Sequence, residues 1–141
     1  KIISNQFLST KAYSKYINKK NIFLRKTLLN EVKNFKKIAY KKSSKVLVIL
    51  GLHDFKDNMQ SVINLSNNRK YKYCKFYLKF HPKLKGVIIK KMPNNVSIIQ
   101  KIPKNSKYQI LVSQSSSLLY MLLDSGIECR HLNYNNKINI L

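Results

Sequence analysis

The stretch "KVLVIL", residues 45–50, is a run of β-branched and aliphatic residues behind a single lysine. Such a run is typical of a parallel strand that is covered on both faces, because neither side of it carries polar groups that need water. Gly51 ends the run, and "DFKDNMQSVINLSNN" at 54–68 follows with apolar residues at helical spacing behind Asp54, a residue type favoured as a helix N-cap. The sequence therefore predicts a strand, a tight turn and a helix.

The same alternation continues toward the C-terminus. Further apolar segments predict strands at 74–80, 95–100, 109–114 and 127–133. The segment "SSSLLYMLLDSG" at 115–126 predicts a buried helix that opens on serines and ends at Gly126. Because strands that alternate with helices pair in parallel through crossovers, we predict the α/β class, with a Rossmann-like doubly wound parallel sheet over residues 45–141.

The first 44 residues have a less regular pattern. We interpret residues 1–44 as a partly helical connecting segment that packs on the sheet or links it to another domain. At 141 residues, one compact domain is the default. The chain opens on the strand-like "KII" without an initiator methionine and ends on "KINIL", so we expect a fragment of a longer protein whose site is completed by a partner domain.

The charge is strongly basic, with 28 Lys and Arg residues against 5 acidic ones and a formal net charge of +23. A surface of this kind attracts nucleic acid, anionic membranes or phosphorylated substrates. However, the lysines are spread evenly among many Asn, Ile, Tyr and Ser residues, as a biased nucleotide composition would produce. The arginines are limited to Arg25, Arg69 and Arg130, whereas nucleic-acid surfaces concentrate arginine with aromatic residues. Nucleic acid is therefore the less favoured partner.

Several function classes are disfavoured. Cys74 and Cys129 are too few for a disulfide framework and are predicted to be reduced core residues. No apolar stretch is long enough to span a bilayer and no secretory signal is present, which favours a cytoplasmic location. The five acidic residues do not cluster, so no metal site is predicted. Walker, GxGxxG and GxSxG motifs are absent from the sequence.

Three polar segments follow directly after predicted strands. They are Gly51 to Asp54, which includes His53, then His81-Pro82, and Ser113 to Ser117. Because ligands of parallel α/β sheets bind at the carboxyl ends of the strands, we expect these segments to converge at one rim. His131 is a weaker candidate.

Two interpretations of these residues are open. In the first, Ser115, Ser116 and Ser117 begin a helix whose free N–H groups and dipole bind a phosphate. His81, held extended by Pro82, then donates to a phosphate oxygen once its other nitrogen is engaged. In the second, one serine only caps the helix and His81 only ends a strand.

The segments "FYLKFHP" at 76–82 and "ILVSQSSSLLYMLLDSG" at 110–126 resemble the C-terminal nucleotide-sugar-binding half of GT-B glycosyltransferases. The similarity is strongest to bacterial enzymes of surface-carbohydrate and capsule polysaccharide biosynthesis, including sialyltransferase-like and CDP-glycerol transferase-like groups. Lys79 and His81-Pro82 match the K-x-H-P motif of these families. Ser115 to Ser117 match the serine pair that opens a later helix.

The resemblance implies a metal-independent glycosyltransferase that needs no cofactor. Lys79, the serines and a catalytic His81 would hold the phosphates of a nucleotide-sugar, and a glycan acceptor would be bound by the N-terminal domain. This chain departs from the family at Met121, where a ribose-binding carboxylate is common, and at Ile127-Glu128, where a proline is common; both departures indicate altered or lost donor binding.

Two further expectations concern the basic surface. The lysine-rich segment near 33–42 is expected to contact an anionic membrane, at the inner membrane face, where lipid-linked acceptors reside. The alternative function is a non-catalytic basic α/β module that binds polyanions such as RNA.

Overall fold

The computed structural model describes residues 30–132 except for residues 85 and 88. The five strands are β1 (Lys45–Ile49), β2 (Lys75–Lys79), β3 (Val96–Ile98), β4 (Gln109–Ser113) and β5 (Arg130–Leu132). The α-helices are α1 (described over 30–38), α2 (Phe55–Asn67) and α3 (Ser117–Asp124), and short 3-10 turns lie at Arg69–Tyr71 and Pro82–Leu84. The elements expected before residue 30 and the chain end after residue 132 lie outside the described residues.

All five strands pair in parallel in the order β3-β2-β1-β4-β5. The central strand is β1, in which Val46, Leu47 and Val48 have no exposed surface. This is the burial that the apolar run at 45–50 predicts. The predicted α/β class with a Rossmann-like parallel sheet is therefore confirmed.

The two faces of the sheet pack against different helices. On the face that we call the α2 face, Phe76 and Leu78 of β2 pack with Val62 of α2. On the opposite α1/α3 face, residues of α1 and α3 such as Phe35 and Leu122 pack against β1 and β4. The step from β1 to β2 and the step from β4 to β5 go toward opposite edges of the sheet. Crossovers of the same hand therefore place α2 and α3 on opposite faces.

Only two of the four connections between strands contain an α-helix. The connection from β2 to β3 has the 3-10 turn at Pro82–Leu84, and the connection from β3 to β4, over 99–108, is irregular. This second connection crosses the α1/α3 face, where Tyr108 pairs with Ala39 in an isolated bridge. Lys45 Nζ donates to Ser106 Oγ at 3.1 Å and attaches the same segment to β1.

The end of α3 explains the role of Gly126. Gly126 has φ +68°, a left-handed conformation that only glycine adopts without cost. Its N–H donates to the Leu123 carbonyl at 3.0 Å, and the N–H of Ile127 donates to the Leu122 carbonyl at 3.0 Å. These are the two hydrogen bonds of a Schellman motif, and the predicted C-cap is confirmed.

Both cysteines are free thiols. Cys74 is fully buried in the core on the α2 face, and Cys129 is half-buried. Burial raises the pKa of both thiols above the usual value, because a low-dielectric environment disfavours the thiolate. Neither side chain is suited to nucleophilic chemistry.

Candidate functional site

The strand order creates a switch point between β1 and β4. From β1 the chain proceeds to β2 on one side, whereas β4 lies on the other side of β1. Ile49 is in register with Val112, so β1 and β4 end at the same edge of the sheet. From there their following loops lead in opposite directions. In open parallel sheets, the crevice at such a point is the usual place for a ligand.

The two loops touch at Gly51. The Gly51 N–H donates to Ser113 Oγ at 3.0 Å, and this hydrogen bond is buried. A Cβ atom on residue 51 would lie 2.7 Å from Ser113 Oγ and closer still to Ser115 Oγ. Glycine is therefore required here by the close approach of the loop after β4, and not by an unusual φ angle.

The serine hydroxyls form a short chain of hydrogen bonds. Ser113 is fully buried, and its Oγ lies 2.9 Å from Ser115 Oγ. Either hydroxyl can be the donor in this contact, since Ser113 Oγ can accept a second hydrogen bond besides that from Gly51. When Ser113 donates, the half-buried Ser115 hydroxyl can donate to a further acceptor.

Ser116 is the N-cap residue of α3, but its side chain makes no capping hydrogen bond. Its backbone N–H donates to the Ser113 carbonyl at 3.1 Å, and its carbonyl accepts from Leu119 at 3.1 Å. The half-buried Ser116 hydroxyl is consequently not used to close the helix. Ser117 is the first residue of α3.

His81 has a structural role that leaves one ring nitrogen available. Its carbonyl accepts from Leu84 at 2.8 Å, and its Nδ1 accepts from the Lys83 N–H at 3.2 Å. His81 thus caps the 3-10 turn that starts at Pro82, a residue favoured at the first position of a helix. With Nδ1 as acceptor, the neutral ring carries its proton on Nε2, which is the state in which His81 can donate to an anion.

Lys79 is the last residue of β2 and is half-buried. Strand alternation places its side chain opposite Leu78, on the α1/α3 face. There it borders a cleft of about 620 Å³ between α1 and residues 100–105. Its carbonyl accepts from the Leu50 N–H at 3.0 Å, so the exits of β1 and β2 are also joined.

The expected convergence has two parts. Gly51, Ser113 and Ser115 are in direct contact. His81 follows β2, which lies two strands from β4, and at about 4.8 Å per strand spacing the two exits are about 10 Å apart. Because β1 lies between β2 and β4, Lys79 at the end of β2 and the loop before α3 lie on either side of the end of β1.

The remaining candidates lie at the edge of this rim. His53 is exposed and Asp54 is half-buried in the turn before α2. Asp54 occupies the predicted N-cap position, although its carboxylate makes no capping hydrogen bond. His131 is exposed on β5, the outermost strand of the sheet.

The basic surface has little acidic compensation. Among the described residues, the one ion pair joins Lys41 to Glu128 at 3.3 Å, and both side chains are more than half exposed. In the same part of the chain, no group of three His, Cys, Asp or Glu side chains is placed to hold a metal ion.

Two features of this end of the molecule have no signal in the sequence. The first is the buried hydrogen bond between Gly51 and Ser113, which joins positions 62 residues apart. The second is Asn58 in the first turn of α2, which is 1% exposed and whose Nδ2 has no hydrogen-bond partner. Phe55, Val62 and Leu65 at helical spacing place Asn58 on the apolar face of α2, but nothing in the sequence indicates that its amide nitrogen has no hydrogen-bond partner.

Within the described ranges, no helix has both the length and the apolar character needed to cross a membrane. A comparison with known proteins finds no matching family model, no similar curated sequence and no similar solved structure.

Proposed function

We propose that this chain binds the phosphates of a nucleotide-activated sugar at the carboxyl rim of its sheet, as the donor-binding half of a GT-B glycosyltransferase of surface polysaccharide biosynthesis. The observation that carries the proposal is the junction of Gly51, Ser113 and Ser115 at the switch point, directly before the start of α3. It supports a phosphate site because it holds unused hydroxyl and N–H donors at a helix N-terminus.

Each side of the rim has its own donors in this proposal. Ser115 and Ser116 offer hydroxyls beside the first free N–H groups of α3, whose dipole favours negative charge. Across the end of β1, Lys79 offers a positive charge and His81 offers its Nε2–H. When the sugar is transferred, charge develops on the departing nucleotide phosphate, and donors already in position lower the energy of that transition state.

In this proposal, a separate N-terminal domain supplies the rest of the chemistry. A glycan acceptor and the base that deprotonates it belong to that domain in this proposal, and the exposed lysines of 33–42 bring the enzyme to an anionic membrane. No metal ion is needed if Lys79 balances the phosphate charge and His81 donates a hydrogen bond to a phosphate oxygen.

Met121 defines how donor binding differs from the resemblance. Met121 is 4% exposed and packs in the core on the α1/α3 face. A side chain at this position therefore points away from a ligand at the rim, and the nucleotide ribose must be recognised by other groups. The burial of Met121 therefore favours a nucleotide position that differs from that in the families the chain resembles.

The test is a calorimetric titration of the 141-residue chain with CMP, CDP, UDP and GDP at physiological salt. Saturable binding of one nucleotide is expected, weakened by about 1 to 3 kcal/mol in His81→Ala and in Ser116→Ala, the range for a lost charged hydrogen bond. Matched controls are Tyr73→Ala and Ser125→Ala, since Tyr73 is exposed before the start of β2 and Ser125 is exposed at the far end of α3 from Ser116.

The proposal is rejected if no nucleotide binds, or if the control substitutions weaken binding as much as the rim substitutions. Binding of RNA that decreases steeply with salt, without nucleotide binding, would instead favour the polyanion-binding module.

A further inference from the structure

The cleft beside Lys79 has the size of a small-molecule site. It measures about 620 Å³ and lies on the α1/α3 face, within the range of about 300 to 1,000 Å³ that is usual for ligand pockets. One wall is formed by α1, and the other by the irregular segment at 100–105 in the connection from β3 to β4.

The cleft combines an apolar surface with positive charge. Phe35 and Ile38 of α1 are buried residues of the core, and Ile102 on the opposite wall is half-buried. Lysines contribute four of the eleven residues that line it. The cleft is therefore basic, as is the lysine-rich exposed surface around it.

These lysines have little acidic compensation. Glu31 is the acidic residue of the cleft, and it forms no ion pair among those of the described chain, where the pair is Lys41 with Glu128. A concave surface with an apolar wall concentrates the field of such charges. An anion that enters can approach Lys79 from β2 and Lys101 and Lys104 from the connecting segment.

The two walls are tied together. Lys107 Nζ donates to the Lys37 carbonyl, and the Tyr108 N–H donates to the Ile38 carbonyl at 2.7 Å. Both bonds join the end of α1 to the connecting segment. A ligand would therefore meet a largely formed site, which reduces the entropy cost of binding.

We propose that this cleft binds an organic phosphate, a molecule in which an aromatic or apolar group carries a phosphate. The apolar group packs on Phe35, Ile38 and Ile102, and the phosphate is held by Lys79, Lys101 and Lys104. This site shares Lys79 with the proposed donor site but does not rest on that proposal. Because Lys79 borders both, the test uses Lys101 and Lys104.

The first measurement compares three probes by calorimetry on the 141-residue chain. They are 1-naphthyl phosphate, inorganic phosphate and 1-naphthol, which separate the complete ligand from its charge and from its ring. We expect 1-naphthyl phosphate to bind at least tenfold more tightly than either part. Equal affinity for inorganic phosphate would overturn the proposal, because the apolar wall would then contribute nothing.

The second measurement locates the bound probe. The variant Lys101→Glu/Lys104→Glu should bind 1-naphthyl phosphate about tenfold or more weakly, as expected for lost charged hydrogen bonds. The control Lys56→Glu/Lys72→Glu makes the same change of net charge at exposed positions outside the cleft. An equal loss in both variants would show diffuse attraction to the basic surface and would refute the site.

Lysine acetylation of the unaltered chain provides a readout that does not depend on the folding of a variant. Bound 1-naphthyl phosphate should slow the modification of Lys101 and Lys104 and leave Lys56 and Lys72 unchanged. Protection of all four lysines to the same degree would exclude a localised site. If His81→Ala and Ser116→Ala abolish nucleotide binding but keep this protection, the cleft and the rim are separate sites.

Discussion

Replacing Gly51 by alanine tests whether the contact between the two loops at the switch point is as tight as the structure indicates. The new Cβ would lie 2.7 Å from Ser113 Oγ and 3.2 Å from the Ser115 carbonyl carbon, with Ser115 Oγ nearest of all. Ser113 cannot move freely, because it is fully buried and its hydroxyl accepts from the Gly51 N–H. The substitution therefore overpacks the junction and stretches or breaks this hydrogen bond.

The magnitude follows from these two effects. Overpacking of a close-packed site costs about 1 to 3 kcal/mol, and a lost hydrogen bond costs about 0.5 to 1.5 kcal/mol. We expect Gly51→Ala to lower the free energy of unfolding by about 2 to 4 kcal/mol. That is a large part of the stability of a typical domain, which is about 5 to 15 kcal/mol.

Urea denaturation followed by circular dichroism measures the change, with an unchanged slope as the sign that the same structure unfolds. The matched variant is Gly51→Ala/Ser115→Ala, which removes the nearest oxygen. A double-mutant cycle with Ser115→Ala should show that this second substitution restores at least about 1 kcal/mol in the Gly51→Ala background. The reasoning fails if Gly51→Ala unfolds within about 0.5 kcal/mol of the unaltered chain, the range of a neutral surface substitution.

Three further outcomes are expected. Gly126→Ala should lower the unfolding free energy by about 1 to 2 kcal/mol, because φ is +68° at this residue. Gly126→Asn should lower it by less in the same urea experiment. Equal stability of the unaltered chain and both variants would contradict the cap assignment. A thiol-specific dye should label half-buried Cys129 well before fully buried Cys74, and mass spectrometry that finds the reverse order would show that the core is misassigned. Burial raises the pKa of Cys74, so the folded chain retains the thiol proton at a higher pH than the unfolded chain does. The unfolding free energy should therefore fall as pH rises above about 8.5 toward the folded-state pKa. The unfolding free energy of the Cys74→Ala variant, measured by urea titration, should fall less over that pH range. If it falls as steeply with pH as that of the unaltered chain, the direction of the pKa shift is contradicted.

The segments that the sequence predicted well are those with a strong local pattern. The apolar run at 45–50 is recognisable as a strand because both of its faces need burial, and the structure has β1 at Lys45–Ile49. The helix at 115–126 is recognisable by its apolar body and by Gly126, and the structure has α3 at Ser117–Asp124. In both cases the helix or strand is specified by residues within a few positions of one another.

His81 shows how far local information extends. Pro82 in the sequence indicates a restrained backbone after β2, and the structure forms a 3-10 turn at Pro82–Leu84. The hydrogen bond from Lys83 to Nδ1, which assigns the remaining proton to Nε2, depends on the side-chain rotamer that the turn allows. Sequence spacing alone carries no information about that choice.

The nature of the strands and helices thus follows from residue order, since burial periodicity and cap chemistry act over a few residues. The arrangement of the site comes from contacts between distant segments. β4 pairs with β1 and not with β3, Gly51 meets a serine 62 positions away, and α1 faces residues 100–105 across the cleft. Such contacts depend on how whole faces pack in three dimensions, because many strand pairings satisfy the same local patterns.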